Sequence, residues 1–287
     1  MTAGVRRTPC GGRCPVRADL LEVTDLRLTA PDGREVVRGV SFTVPRGGSL
    51  GIVGESGSGK TLTCRSLLGL LPPGVSVAGG SVRFDGADLA RLTPRQWQDV
   101  RGARIAAVFQ DPGSYLNPSV PVGRQLAEVL RVRGGLRRRE ARDRAVELLE
   151  RLGLHRPALV ARQHPHELSG GMLQRVLIAV AISLEPELLV ADEVTTALDV
   201  TVQAEVLDLL DAIRAERDLA LVVVSHDLTV VARSTEQLLV LRDGEVVEAG
   251  PTRRVLDDPQ HPYTRLLVEH HEAYALDRYL DRDGTHA

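Results

Sequence analysis

The stretch Gly54-Glu55-Ser56-Gly57-Ser58-Gly59-Lys60-Thr61 constrains this chain more than any other. It follows the apolar run Leu50-Gly51-Ile52-Val53 and precedes the helix-forming run that opens at Leu62. The spacing G-x-x-x-x-G-K-[ST], set between a buried strand and a helix, is the arrangement a phosphate-binding loop requires. Glycines let successive backbone N–H groups turn inward around an anion without Cβ clashes. The helix that starts near Lys60 adds the positive end of its dipole. Lys60 would reach the β- and γ-phosphates of a nucleotide, and the Thr61 hydroxyl would take one position on Mg²⁺. Lys60 is the only lysine in the chain, and arginine is used everywhere else. A lone lysine here marks a site that needs a compact, flexible ammonium rather than a planar fork.

Composition narrows the class. With 287 residues, 43% hydrophobic and 26% charged, the chain reads as an ordinary globular protein of one large or two smaller domains. A formal net charge of -2 argues against a general nucleic-acid binder. No apolar run approaches the roughly 18 residues that a membrane span needs. No apolar core follows Arg6 and Arg7, so no signal peptide is expected. Cys10, Cys14 and Cys64 make no disulfide framework and fit a reducing compartment. Residues 1–18 are expected to be a disordered tail, and 269–287 a polar one.

Along the chain, Leu20 to Leu28 and Val36 to Val44 alternate as strands around the turn Pro31-Asp32-Gly33. They lead into the phosphate-loop strand, so an antiparallel β-subdomain packed on a parallel core is expected. Gly79 to Phe84 reads as a strand, Leu89 to Val100 as a short helix, and Ile105 to Phe109 as a buried strand ending at Gln110. A helical insertion follows, over about 111–184, with patterns at Val122–Val132 and Arg138–Leu152 and a further helix from Gly170 to Leu184. The sheet resumes at Leu188-Leu189-Val190-Ala191 and at Leu219 to Val224, with helices Val202–Arg217 and Asp227–Ser234 between and after. Strand–helix alternation of this kind implies an α/β fold with a covered parallel sheet. Gln237–Leu241 and Glu245–Glu248 form a hairpin through Arg242-Asp243-Gly244.

A phosphate loop alone does not fix a reaction. Asp192 and Glu193 stand together at the C-terminal end of an apolar strand, where open α/β sheets bind their ligands. Adjacent side chains on an extended segment diverge and can serve two roles. Asp192 would hold Mg²⁺, and Glu193 would orient or deprotonate an attacking water. His226 follows another apolar strand; it is either structural or a contact to the γ-phosphate. Gln110, at the end of its strand, could touch the metal or the water. The turn Ser169-Gly170-Gly171 opens a helix that also carries Gln174. It is either a second anion site or an ordinary helix start capped by Ser169.

In order and spacing, Gly54–Thr61, Gln110, Leu168–Arg175, Leu188–Glu193, Thr196-Ala197-Leu198-Asp199 and His226 resemble the Walker A, Q-loop, signature, Walker B, D-loop and H-loop of ATP-binding-cassette (ABC) transporter ATPases. The resemblance spans about residues 20–268. Leu116-Asn117-Pro118, His164-Pro165-His166-Glu167, Asp199-Val200-Thr201-Val202-Gln203 and Pro259-Gln260-His261-Pro262-Tyr263-Thr264 look like the oligopeptide, dipeptide and nickel importer branch. The resemblance implies a P-loop NTPase core over 19–268 that hydrolyses ATP with Mg²⁺. Thr61, Gln110 and Asp192 would lie at the metal, and Glu193, His226 and Gln110 would act in catalysis. It implies a head-to-tail dimer with a second ATPase, a paralogue by subfamily. Ser169, Gly170, Gly171 and Gln174 would face the partner's ATP, and Asp199 would sit at the dimer centre. Two transmembrane permeases and, indirectly, an extracytoplasmic substrate-binding protein complete the implied importer. Its ATPase would sit peripherally on the cytoplasmic face of the cell membrane.

Three departures stand out. Val194 replaces the proline that follows the Walker B glutamate in most relatives. No aromatic lies between Leu20 and Ser41 to stack adenine, leaving an aliphatic platform around Val36. No cysteine follows Tyr263, so an iron–sulfur cluster is not expected there. The alternative reading is a soluble ABC ATPase acting on ribosomes or DNA. Those usually carry tandem cassettes or long coiled-coil insertions, which this chain lacks.

Overall fold

The computed structural model describes residues 19–109, 112–194 and 200–271. Gln110, Asp199, the expected N-terminal tail and most of the expected C-terminal one lie outside the described residues.

The chain opens with β1 (Asp19–Thr29) and β2 (Glu35–Pro45), paired antiparallel around Pro31-Asp32-Gly33. One face of each strand is buried: Leu21, Val23, Leu26 and Leu28 on β1, then Val37, Val40, Phe42 and Val44 on β2. The fully buried β3 (Ser49–Val53) leads through the phosphate loop into α1 (Lys60–Leu67). Next come β4 (Ser76–Phe84) and β5 (Ala87–Asp88). The helix expected over Leu89–Val100 is split into one 3-10 turn at Leu89–Arg91 and α2 (Pro94–Val100). Thr93 and Pro94 are the reason. Thr93 Oγ1 accepts the Gln96 N–H at 3.3 Å while Gln96 Oε1 accepts the Thr93 N–H at 2.9 Å. That reciprocal cap, followed by a proline with no N–H to donate, starts a new helix instead of continuing an old one.

After β6 (Ile105–Val108) come α3 (Val122–Val132), α4 (Arg138–Arg151), the short α5 (Pro157–Val160) and α6 (Gly170–Ile182). Then follow β7 (Leu188–Asp192), α7 (Val200–Arg217), β8 (Ala220–Val224) and α8 (Leu228–Ser234). The hairpin β9 (Gln237–Arg242) and β10 (Glu245–Pro251) turns at Asp243 and Gly244, both at positive φ, as a twisted two-residue turn demands. The chain then forms α9 (Thr252–Asp257) and a further helix, α10, over residues 262–271.

Two sheets result. The antiparallel one runs β2-β1-β4-β5, and the core sheet runs β10-β9-β3-β8-β7-β6. Within the core sheet, β9, β3, β8, β7 and β6 are mutually parallel and only β10 is antiparallel. Its strands are continuous apolar runs because both faces are covered. One face packs against the antiparallel sheet through Ile52, Val190 and Val222, which join Leu26, Phe42 and Phe84 in a single cluster. Leu189, Leu221 and Val223 join the helical layer instead, with Leu126, Leu148 and Ile178. Alternate side chains of one strand therefore feed two cores.

At the N-terminal end of the core strands, four charges tie the sheets together. Arg46, after β2, bonds both Asp85 and Glu187. Arg104, before β6, also bonds both, at 2.6 Å to Glu187 and 2.7 Å to Asp85. The Arg104 and Arg46 guanidinium groups hold the Asp85 carboxyl below its ordinary value of 3.8. Burial pushes Glu187 upward, but the same two arginines outweigh it and hold this carboxyl below its ordinary 4.5. Carboxylates with depressed values stabilise the fold above their unfolded-state values and lose that contribution as pH falls through the folded ones. Glu187→Gln is expected to cost roughly 1 kcal/mol, a fall in melting temperature of about 2–4 °C near neutrality. Calorimetry should show the gap from the unsubstituted chain narrowing below about pH 4.5, as these carboxyls take up protons. A gap that stayed constant to pH 3 would contradict this account.

Candidate active site

The parallel register sets the site. Ile52 on β3 pairs with Val224 on β8, and Val224 in turn pairs with Asp192 on β7. Three adjacent strands therefore stop at one level. Their C-terminal ends deliver the phosphate loop, the Asp192-Glu193 pair and His226.

In the loop, Lys60 is only 6% exposed. Its ammonium donates to the backbone carbonyls of Gly54 at 2.7 Å and Glu55 at 2.8 Å. Burial lowers its pKa, and the nearby Glu193 and Asp192 charges partly restore it. Gly54 and Gly59 are required by geometry. Gly54 sits at φ +149 with the Leu241 carbonyl oxygen 2.1 Å from where a Cβ would stand. Gly59 sits at φ +98, with the Val36 carbonyl oxygen 3.0 Å from its missing Cβ. The Val36 backbone thus lies beside the start of α1. Ser58 is buried, and its hydroxyl has no hydrogen-bond partner among the described residues. Glu55, Ser56 and Gly57 are exposed at the loop's tip.

Thr61 Oγ1 donates to Asp192 Oδ1 at 3.5 Å. Burial raises the Asp192 carboxyl above its ordinary range; the Thr61 hydroxyl opposes that shift and the Glu193 charge adds to it. Two facing hard oxygens, one on a buried carboxylate with no salt bridge among the described residues, fit the donor set of Mg²⁺. Glu193 does not continue the strand as the sequence reading supposed. It sits in the left-handed region at φ 52, so the turn rather than strand alternation separates its side chain from that of Asp192. Its N–H donates to the Val224 carbonyl at 2.9 Å. Glu193 Oε1 lies 3.5 Å from His226 Nδ1, which joins the ends of β7 and β8. Val194 is buried in the helical core.

The remaining expected residues sit elsewhere. Ser169 caps α6, its Oγ accepting the Met172 N–H at 3.3 Å, and Ser169 and Gly170 are exposed. Gly171 has a role within the chain: Val202 Cγ1 of α7 comes within 2.5 Å of where its Cβ would stand. Gln174 is 2% exposed and lies inside the helical layer, its Nε2 without a partner among the described residues. Gln110 is outside the described residues, but the preceding Phe109 stacks on Tyr115 and lies under Arg65 of α1. A groove of about 1090 Å³ lies away from the loop, beside α3 and α4, lined by Tyr115, Gln125, Glu128, Arg131 and Arg138. Sequence reasoning missed one contact: Tyr263 Oη accepts the Glu55 N–H at 2.9 Å. In the sequence its His-Pro-Tyr-Thr motif marks only the resemblance.

Residues 37–196 match the family model described as ABC transporter. The chain belongs to the ABC transporter family. Among curated relatives of this cassette, a Brucella melitensis peptide import ATP-binding protein is 46% identical over 93% of this chain and 81% of its own. The oligopeptide transport ATP-binding protein OppD of Bacillus subtilis is 45% identical over 87% of this chain and 71% of its own. Among solved structures, cbiO1 of Clostridium perfringens, part of an ABC transporter complex, superposes with a TM-score of 0.74. It is 27% identical, over 84% of this chain and 91% of that one. A dimeric ATP-binding cassette in a post-hydrolysis state with ADP and Pi gives 0.72 at 28% identity, over 81% and 99%. The cassette is an ATPase of this family.

Gly54→Ala in this cassette is expected to displace the loop, since neither the φ nor the Leu241 carbonyl admits a Cβ. Nucleotide affinity measured by calorimetric titration should fall by at least about tenfold. Unchanged affinity would contradict the described loop.

Proposed function

We propose that the chain is the ATP-binding and ATP-hydrolysing subunit of a peptide importer. The observation that carries the hydrolytic reading is the convergence of Lys60, Thr61, Asp192, Glu193 and His226 at the ends of three adjacent strands. In this reading Lys60 leaves the Gly54 and Glu55 carbonyls for the β- and γ-phosphates. The N–H groups of Gly57 to Thr61 cradle the rest. Thr61 and Asp192, with Gln110, would hold Mg²⁺, which neutralises charge on the phosphate oxygens when bound. Glu193 orients the attacking water and takes its proton, and His226, within reach of Glu193, contacts the γ-phosphate. Positioning and charge stabilisation supply the rate.

The site is half of a pair. Exposed Ser169 and Gly170, with Gly171, would close on ATP held by a second cassette, and Asp199 would lie at the centre of that dimer. That a solved cassette 28% identical to this chain is dimeric supports pairing with a second cassette. Gln174, being buried, would support α6 from behind rather than touch the partner's nucleotide. The cassette spans 19–268, and the helical subdomain over about 111–184, with the Gln110 region, would couple to a permease through the groove beside α3 and α4; the assembled importer holds two permeases. No described helix is long and apolar enough to cross a membrane, so the permeases would hold the subunit at the cytoplasmic face. Peptide is the cargo class in the names of the relatives above, and none of those names mentions nickel. These names also favour transport over action on ribosomes or DNA.

Glu193→Gln should lower steady-state ATP turnover by at least about a hundredfold while ATP binding persists. Unchanged turnover in the purified complex would remove Glu193 from the mechanism. Affinity purification of the tagged chain should recover two permeases and a second cassette. Peptide, presented with its binding protein, should raise ATP turnover of that complex in liposomes. Recovery of ribosomal proteins in their place would overturn the importer assignment.

A further inference from the structure

The helix α10 touches the candidate site at two points. At its start, Tyr263 Oη accepts the Glu55 N–H at 2.9 Å. At its end, His271 Nε2 lies 2.7 Å from Thr229 Oγ1 and 3.7 Å from Asp227 Oδ1, just beyond His226. The eight-residue step from 263 to 271 covers about 12 Å of helix. The helix is itself anchored: Glu248 on β10 accepts the N–H groups of Gln260 at 2.9 Å and His261 at 3.0 Å. Tyr263 is 3% exposed and packs with Val53, Leu228, Val231 and Val240, with the Arg242 guanidinium 4.8 Å over its ring.

The peptide that Tyr263 holds is the one joining Gly54 to Glu55. Its carbonyl, on Gly54, accepts from Lys60 at 2.7 Å. Its N–H, on Glu55, is held by Tyr263. This peptide plane is therefore gripped at both ends. A glycine at φ +149 precedes it, so its orientation is not fixed by side-chain sterics on that side. A bound phosphate takes Lys60 away from the carbonyl, and the grip of Tyr263 on the N–H is left.

We propose that Tyr263 is a positioning residue for the phosphate loop, fixing the Gly54–Glu55 peptide so that the cradle keeps its shape when Lys60 turns to a phosphate. The proposal rests on the nucleotide-site reading above. It gives the His-Pro-Tyr-Thr segment a task in ATP binding although it lies about 200 residues after the loop in sequence.

The test is Tyr263→Phe in the full chain, which keeps the buried ring and removes only the hydroxyl. Titration with ADP and with a slowly hydrolysed ATP analogue should show affinity weakened about fivefold, the fold-change that one net hydrogen bond is worth. The melting temperature of the nucleotide-free chain should stay within about 2 °C of the parent. Amide exchange at Glu55 should quicken without nucleotide, which loss of packing alone would not cause. In the reconstituted complex the KM for ATP should rise while kcat is unchanged. Unaltered affinity and unaltered Glu55 exchange would overturn the proposal, as would a lower melting temperature with affinity intact. Failure of the unsubstituted chain to bind nucleotide would instead sink the nucleotide-site reading, and this proposal with it.

Discussion

Lys60 carries its charge into a place where only 6% of its surface is exposed, and an ammonium buried that deeply must find hydrogen-bond acceptors. Here the acceptors are the loop's own carbonyls on Gly54 and Glu55. Two neutral oxygens take two of its three donors, and Glu193 and Asp192 offset its charge only through space. Asp192 is the mirror case: burial lifts its carboxyl, and the Thr61 hydroxyl donates to it. A buried cation and a buried carboxylate, each incompletely compensated, form a pocket suited to an anion and a divalent metal arriving together. The polarity of the site is thus set before any ligand enters, which is the form of preorganisation that charge-stabilising catalysis needs.

The fold divides its tasks between the two ends of the core sheet. At the N-terminal end of the strands, Arg46, Asp85, Arg104 and Glu187 bond in a closed set, each charge meeting two of the opposite sign. Those contacts fix the antiparallel sheet against the core. At the C-terminal end the backbone leaves regular structure at three neighbouring strands, and there the chemistry collects. The parallel register makes this possible, because Ile52, Val224 and Asp192 stand side by side and bring the phosphate loop level with two loops more than a hundred residues further along the chain. Hydrophobic continuity on both faces keeps that register from slipping, since a one-residue shift would exchange the two cores.

Much of this was legible in the chain itself, for reasons that differ from residue to residue. Local signals sufficed for the phosphate loop, where glycine spacing, a lone lysine and flanking apolar runs report one geometry. They also sufficed for the Asp243-Gly244 turn, whose residues tolerate positive φ. The split at Thr93-Pro94 was legible in principle, since a threonine before proline with glutamine at the third helical position spells a cap. The apolar periodicity on either side masked it. What the sequence could not reveal were contacts between distant segments. The Tyr263 hydroxyl on the Glu55 N–H spans 208 positions, and no spacing rule reaches that far. In the sequence Gly171 belongs to a possible anion site, whereas its lack of a side chain also admits Val202, a constraint visible only once α6 and α7 are packed.

Glu193 shows how a departure from a family pattern can be absorbed. A left-handed conformation at a non-glycine residue costs about 1 kcal/mol or more and persists only where its surroundings impose it. A proline at the next position would supply one restraint, by stiffening the chain. This chain has valine there and uses two others. The Glu193 N–H is bonded to the Val224 carbonyl of the neighbouring strand, so the peptide before the turn is fixed. The Val194 side chain is 5% exposed within the helical core, so the peptide after it is anchored by apolar burial. Between these two fixed points the carboxylate has little choice of direction, and it emerges 3.5 Å from His226. Backbone stiffness and side-chain burial are interchangeable ways of holding a strained turn, and here burial takes the place of the ring.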